Sequence, residues 1–548
     1  MSVWRRESEA PAGPLCPCEK RLGRSLALPR DTTGANPLEV TLYPGYLCRT
    51  TNGDGVAGLT GRPQRKHRRC MNPSGTPVAP PERILGQVDR ARGAGLSRDL
   101  VERAIKRARS LRQDIYIIWE GPQIQVDPLR WLGAQTSHPT FYWTGRSGRA
   151  AFAGCGSAVT LSSSHANAMA TACAEADTIL SERLECAELS FGFRPRFFGG
   201  FAFDPGQDHD PLWRKFGGAL LVLPEALLVC DEAGTHLVFA MSVRGDDHPE
   251  SVLHRGESLE ANHRTGALPD LRVQGASAGV LESQLSLPDW SAGVRSALAL
   301  IESGTVNKIV LSRRFRLEGA SLQTWPVMRR LQERVSSCFQ FAFDLGDGCA
   351  FLGATPERLF YRAHDDVETE CVAGTAVRGA DEASDHALAA QLLASVKDKL
   401  EHYYVVEEML RSLGDLCDRL DVGASPHVLK LATLQHLITN ARGHLKPGTS
   451  SGAILASLHP TPAVGGSPRD AALTAIRALE HESRGWYAGP VGWYARDEAE
   501  FAVAIRSALL TGDQVHVFAG SGIVRGSTPD EEWQETENKA LAFVNALR

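Results

Sequence analysis

Glu532, Glu535 and Lys539 stand at i, i+3 and i+7 in STPDEEWQETENKA, residues 527–540, so a helix would carry all three on one face. Thr528, Pro529 and Glu531 are accounted for as an N-cap, a first-turn proline and a capping-box acid. On an isolated helix the remaining acidic face reads as solvated surface with a weak ion pair. A second acidic helix changes that reading. In ASVKDKLEHYYVVEEMLRSL, Asp398 and Glu401 lie three apart, ahead of an apolar period at Val405, Val406, Met409 and Leu413. Two remote helices that each offer a pair of carboxylates can converge on a hard cation, and Mg²⁺ takes a few carboxylates together with water and an anionic substrate.

Other residues have both a structural and a chemical reading. In HVFAGSGIVRG, residues 516–526, a strand runs into G-S-G. The backbone N–H groups around Gly520 and Gly522 form either a tight turn or a cradle for a carboxylate or phosphate. It is a poor nucleotide fingerprint, because the third glycine is out of register and no βαβ unit surrounds it. Arg506 in FAVAIRSALL alternates with apolar neighbours and is expected on a strand, where its planar fork suits either an internal acid or a ligand carboxylate. Lys308 in VNKIVLSRR opens an apolar strand, and Glu357 in GATPERLF follows a turn beside another. Each is either an edge charge facing water or, in a closed pocket, a group whose charged form is disfavoured. The second case supplies an amine base and a protonated acid at neutral pH.

The elements that must position these residues occur in runs. A helix is expected over 97–112 and a strand over 114–121, then a helix near 165–185 and antiparallel hairpins over 215–245. Residues 245–285 are polar and aperiodic and read as an exposed connection. The second half continues with a helix near 289–304, the Lys308 strand, strands near 339–345, 350–354 and 358–362, and one long helix across 383–412. Strands at 486–495, 500–510 and 514–520 precede the capped terminal helix. Elements in runs, without strict alternation, indicate an α+β fold.

Composition bounds the function. The 548 residues are 43% hydrophobic with a formal charge of −5, which gives no electrostatic case for nucleic acid or an anionic membrane as main partner. Residues 1–70 hold twelve Lys and Arg against six Asp and Glu, a net of +6 that leaves −11 for the rest. Residues 1–80, with the basic cluster RPQRKHRRC, are expected to be a disordered extension. The twelve cysteines form no C-x-x-C pair and read as free thiols of a cytoplasmic protein. The start has no apolar signal region, and the run GGALLVLPEALLVC is interrupted by Pro224 and Glu225, so no signal peptide and no membrane span is read.

NKIVLSRR, GATPERLF, ECVAGTAVRG, KDKLEHYYVVEEM, LKLATLQHLIT, LHPTPAVGG, ESRGWYAGPVGW, VAIRSALL and FAGSGIVRGSTPDEEWQETENKA follow one another in this order. Together they resemble the chorismate-utilising enzymes, densely over 285–548 and more loosely over 125–245 through DPLRWLG, FYWTG and FFGGFAFDP. The resemblance implies one large α+β unit of two face-to-face antiparallel sheets with outer helices, in which 81–284 is the N-terminal part and 285–548 the catalytic part. Members that aminate chorismate through a covalent adduct carry a lysine before the glycine and threonine of the G-T motif; here Ala373 stands there. The run His459-Pro460-Thr461-Pro462-Ala463 resembles the isochorismate synthases, and the N-terminal half the menaquinone branch among them. The resemblance implies that Lys308 activates water for attack at C2 of chorismate and that Glu357 protonates the departing C4 hydroxyl. It implies that Glu401 and Glu535 hold Mg²⁺, with Asp398 and Glu532 in support. Arg506, Lys539, Gly520 and Gly522 would bind substrate carboxylates, and Gly374, Thr375 and His436 would line the ring pocket. No glutamine amidotransferase subunit is expected. The pathway served would be menaquinone or siderophore biosynthesis; a salicylate synthase, which eliminates pyruvate from isochorismate in the same pocket, and a non-catalytic chorismate-binding protein are the alternatives.

Because residues 1–70 offer no core, a chain shortened to begin at Met71 is expected to keep the full-length melting temperature and turnover. A thermal melt and an activity assay of the two chains side by side check this; loss of cooperative melting in the shorter one would reveal a structured element there.

Overall fold

The computed structural model describes residues 39–41 and 95–547, apart from 208–209, 233, 264–267, 272–279, 319–321, 432–433 and 481. The extension expected over residues 1–80 therefore lies outside the described residues, save the short strand Glu39–Thr41. Val40–Arg548 forms one compact unit.

Period-2 alternation sorts the side chains of the strands. Phe339, Phe341 and Phe343 on Phe339–Asp344 enter one core, and Ala342 between them enters another; Phe141 and Trp143 likewise point opposite to Tyr142 on Thr140–Thr144. The aromatic core lies between two sheets, with Phe141 of one stacked on Phe198 of the other at 4.7 Å. The smaller outward residues meet the helices Arg98–Leu111, Pro128–Gly133, Thr324–Arg334 and Pro529–Leu547.

Both sheets interleave the two halves of the chain. In the 13-stranded sheet the order runs Val280–Ser283, Lys308–Glu318, Gln514–Ile523, Ser507–Thr511, Cys349–Thr355, Phe339–Asp344, Thr140–Thr144, and on through the N-terminal strands. In the 11-stranded sheet, Pro490–Tyr494 pairs with Phe197–Phe201. Nearly every pairing is antiparallel; Ile115–Glu120 with Leu184–Cys186 is parallel. The expected α+β fold of two face-to-face sheets with helices outside is what forms.

Several expected elements differ. The long helix over 383–412 is two, Glu382–Ala394 and Val396–Gly414, because Ser395 leaves helical geometry and its hydroxyl accepts from Asp398 N as the N-cap of the second. Residues 245–285 are more than a connection: Pro249–Asn262 is a helix, opened by a first-turn proline, with little amphipathic period because it buries only Val252 and Gly256. Of the hairpins expected over 215–245, Ala226–Asp231 with Gly234–Val243 is one. Ala219–Leu223 belongs to the other sheet, and Pro224 and Glu225 carry the chain across. The segment 500–510 is likewise two strands, Glu498–Val503 and Ser507–Thr511.

Residues 285–548 alone would lose Phe141, Trp143, Phe152, Phe198 and Phe201 from the shared core. At roughly 3–5 kcal/mol for each large aromatic truncated, the loss exceeds the roughly 5–15 kcal/mol by which a domain is stable. A chain of 285–548 is therefore expected to give no cooperative thermal transition by circular dichroism.

Candidate active site

Lys308 is the first residue of Lys308–Glu318 and has no exposed surface. The edge-charge reading is thereby excluded. Its Nζ lies 3.0 Å from Glu401 Oε1, an ion-pair distance, but the direction does not meet hydrogen-bond geometry, so the ammonium has no hydrogen-bond partner. Glycine permits the approach: a Cβ on Gly522 would sit 2.3 Å from Glu401 Oε1 and 3.0 Å from Lys308 Cε. Gly522 faces Val310, and Gly520 faces Ser312, within the strand Gln514–Ile523. The G-S-G segment is thus neither a tight turn nor a loop, because pairing with Lys308–Glu318 holds it extended. That strand pairs Ser507–Thr511 only as far as Val517. Beyond that point its edge is open, and the Gly520 carbonyl accepts from Lys539 Nζ at 2.9 Å.

Glu357 is equally buried, at 3% exposure. Its backbone is fixed because its carbonyl accepts from Val503 N at 3.0 Å, while Thr355 Oγ1 donates to the Val503 carbonyl at 2.6 Å. Burial pushes its carboxyl up to about 8, against Lys308 and with Glu370; the hydroxyl of Thr461 lies 3.5 Å from Oε1. Glu357 is therefore a proton donor at neutral pH.

The two acidic helices converge as their spacing suggested. Glu532 has no exposed surface and accepts from Lys397 Nζ at 2.6 Å and from Ser521 Oγ at 2.5 Å. Burial and Glu535 raise its pKa. Glu535 is bound by Lys539 at 2.5 Å; burial opposes its ionisation, yet Lys539 and Lys397 outweigh it and lower its pKa. Burial, with Glu401 and Glu535 nearby, raises Asp398. Lys397 feels Glu532, Glu535 and Glu401 together. Among the described residues no three His, Cys, Asp or Glu side chains form a ready metal cage. The donor set still fits Mg²⁺: it is all carboxylate oxygen, Glu401 and Glu535 each hold a lysine in place of another cation, and this ion completes its shell with water and substrate.

A cleft of about 610 Å³ of empty space, partly open to solvent, lies between these groups. Glu357, Gly374, Thr375, Glu401, His436, Arg506, Gly520, Gly522 and Lys539 line it. Lys308, Asp398, Glu532 and Glu535 are not in the lining and stand behind it, against Glu401, Gly374, Ser521 and Lys539. Gly374 sits at a bulge with φ +79°, where a Cβ would meet Asp398 at 3.1 Å. His436 Nδ1 lies 3.2 Å from the Gly374 carbonyl and 3.2 Å from Thr375 Oγ1. A carbonyl only accepts, so Nδ1 carries the proton and the buried, unpartnered Nε2 is an acceptor. Burial lowers this imidazole to about 3, which keeps it neutral.

Arg506 differs from the strand residue expected: it lies in the connection before Ser507–Thr511 with φ +51°. That turn aims its guanidinium at the cleft, where it makes no hydrogen bond or ion pair with any described residue. Burial lowers its pKa, and no acid neutralises it by contact. Such a free planar fork is a receptor for a carboxylate. Sequence reasoning missed Tyr487, a buried phenol raised to about 12 and stacked on Phe518, and Arg484, both of which line the cleft. It also missed Lys397, although that residue directly precedes Asp398 in the KDKLEH motif.

Residues 103–548 match the family described as "Chorismate binding enzyme". The isochorismate synthase MenF of Bacillus subtilis is 35% identical over 355 residues, 64% of this chain and 74% of the relative. The salicylate biosynthesis isochorismate synthase of Pseudomonas aeruginosa is 33% identical over 461 residues, 82% of this chain and 94% of the relative. The solved structure of MenF, the menaquinone-specific isochorismate synthase from Escherichia coli, is similar at TM-score 0.66 and 27% identity, covering 82% of this chain and all of that one. The chain belongs to the chorismate-binding enzyme family.

Proposed function

We infer that the chain is an isochorismate synthase that serves menaquinone biosynthesis and acts on chorismate by general acid–base chemistry. The observation that carries this reading is a buried lysine set behind a cleft that a buried, protonated glutamate and a free arginine line. Lys308 takes a proton from water, and the oxygen bonds to C2 of chorismate. The ring double bonds shift, the C4–O bond breaks, and Glu357 gives its proton to the leaving hydroxyl. One water is consumed and one released, so the conversion is an isomerisation. In this structure Lys308 is paired with Glu401, so it serves as the base in the state in which that carboxylate has turned from it. Arg506 and Lys539 receive substrate carboxylates, and His436 Nε2 accepts a hydrogen bond from a ring hydroxyl. Mg²⁺, held by Glu401 and Glu535 with Asp398 and Glu532 behind them, would supply positive charge to the C1 carboxylate.

Ala373 occupies the place before Gly374 and offers no nucleophile, which favours water and argues against a covalent adduct and an ammonia-supplying subunit. The described cysteines are all free thiols, which suits the cytoplasm, and no described helix is long and apolar enough to cross a membrane.

Product analysis by chromatography, after the protein is incubated with chorismate and Mg²⁺, is expected to show isochorismate and to show nothing new in excess EDTA. Salicylate with pyruvate would move the assignment to a salicylate synthase; no product at all would leave a binding protein.

Lys308→Ala is expected to cost roughly 10²-fold or more in turnover, the scale of losing a positioned base, with less effect on substrate affinity. Glu357→Gln keeps the volume but has no proton to deliver and is expected to lose turnover alike. Glu357 is protonated below its raised value and ionised above it, so wild-type turnover should fall as pH rises through about 8. Near-wild-type rates in both variants, with Arg506→Ala alone inactive, would make the cleft a binding pocket only.

A further inference from the structure

The residues lining the cleft run from Val310 onward in the sequence, so the N-terminal half supplies none of them. One side chain of that half nevertheless reaches the backbone next to the acid. Arg146 lies between the strands Thr140–Thr144 and Ala151–Cys155. Its Nη1 and Nη2 donate to the two oxygens of Glu370 at 3.0 and 2.5 Å, and Nη2 also donates to the Pro356 carbonyl. The guanidinium is backed by the Phe339 ring, 5.1 Å from its centroid. The Pro356 carbonyl belongs to the peptide that leads directly into Glu357. On its far side the Glu357 backbone is fixed by Val503, so Arg146 supplies the complementary hold. Glu370 is itself buried and has Arg358 at 3.6 Å.

We propose that Arg146 is a positioning residue for the acid: one fork locks both Glu370 and the Pro356 carbonyl, and thereby fixes where the Glu357 carboxyl points. The proposal rests on the reading of Glu357 as the proton donor.

The groups that face Glu357 are Lys308 from its own strand, Glu370 and Cys371 from Asp366–Val377, and Tyr487 and Arg506 from the connections beside the 11-stranded sheet. Among them, Glu370 is the one that Arg146 neutralises by contact. Arg146→Ala should leave Glu370 less compensated, strengthen its hold on the Glu357 proton, and move the basic limb of the kcat profile to higher pH. Glu370→Gln removes the charge and should move the same limb to lower pH. A role in stability alone would move neither.

The test is the kcat, KM and pH profile of Arg146→Ala and Glu370→Gln, each alone and combined with Glu357→Gln. Arg146→Ala is expected to lower kcat by roughly 10- to 10²-fold, the scale of a misplaced reacting group, with KM near the wild-type value. In the Glu357→Gln background it should cost nothing further, because no proton remains to be aimed. An unaltered kcat, a loss that multiplies in that background, or limbs that stay in place would overturn the proposal while leaving Glu357 as the acid. Near-wild-type turnover of Glu357→Gln by itself would instead overturn the acid assignment. Should Arg146→Ala fail to fold, Arg146→Lys carries the test: it keeps the charge beside Glu370 but not the fork, so kcat should fall with the limb in place, and full activity would refute the positioning role.

Discussion

Three lysine–carboxylate pairs hold one wall of the cleft together: Lys308 with Glu401, Lys397 with Glu532 and Lys539 with Glu535. The first joins the strand Lys308–Glu318 to the helix Val396–Gly414 and the second joins that helix to Pro529–Leu547, while the third lies within Pro529–Leu547, which Arg313 also ties to the strand through Glu537 and Thr536. Charge balance is the constraint, most of all for Lys308 and Glu401, because a partner removed from a buried pair leaves a naked charge that costs about 3–5 kcal/mol. The pairing cannot be read as stability alone, since apolar residues of the same volume would serve as well. Two charges are left out of the balance. Arg506 has no contacting acid among the described residues, and burial, with Glu401 and Glu535 nearby, pushes the pKa of Asp398 up. A doubly carboxylated ligand with a divalent cation would satisfy both.

Glycine makes the crowding possible. At Gly522 any side chain would occupy the gap through which Lys308 and Glu401 meet, and at Gly374 the left-handed bulge brings Asp398 against the backbone. The same bulge exposes the Gly374 carbonyl that sets the His436 tautomer. Local backbone geometry therefore determines which nitrogen faces the cleft, and the chemistry inherits it.

Much of this was legible in the sequence, for identifiable reasons. The acids at i, i+3 on two helices and the apolar alternation of the strands are periodic signals that survive without tertiary context. Lys308 and Glu357 were legible as candidates, but their burial was not, since an edge charge and a pocket charge share the same local pattern. The extended form of the Gly520–Gly522 segment was not legible, because it comes from pairing with a strand about 200 residues away in the sequence, the separation of Ile309 from Ile523. Arg506 was placed on a strand because alternation continues through it; the turn appears only once Ser507–Thr511 changes sheet. Pro224 hid the crossing between sheets for the same reason, because a break and a hairpin carry the same residues. Arg146 gave no signal at all, as its partners Pro356 and Glu370 lie in the other half of the chain.

The identity of the nucleophile follows from what the cleft offers. A covalent route needs a side chain with a reactive pair of electrons near the ring, and Ala373 beside Gly374 has none. Cys371 is two residues away, but burial pushes its thiol up to about 12, with Glu357 and Glu370 adding to the shift, so it is no thiolate at neutral pH. Tyr487 is likewise held as a neutral phenol. His436 is neutral, but its free nitrogen is positioned to accept a hydrogen bond from a hydroxyl, and the proton on the other is tied to Gly374 and Thr375. Lys308 remains, and its place behind Glu401 keeps it from forming a direct bond to a ring bound in front. On the reading proposed above, a base set back from the cleft would act through a smaller molecule that fits between, such as water. On that reading, the same setback that disfavours an adduct would favour hydroxyl transfer.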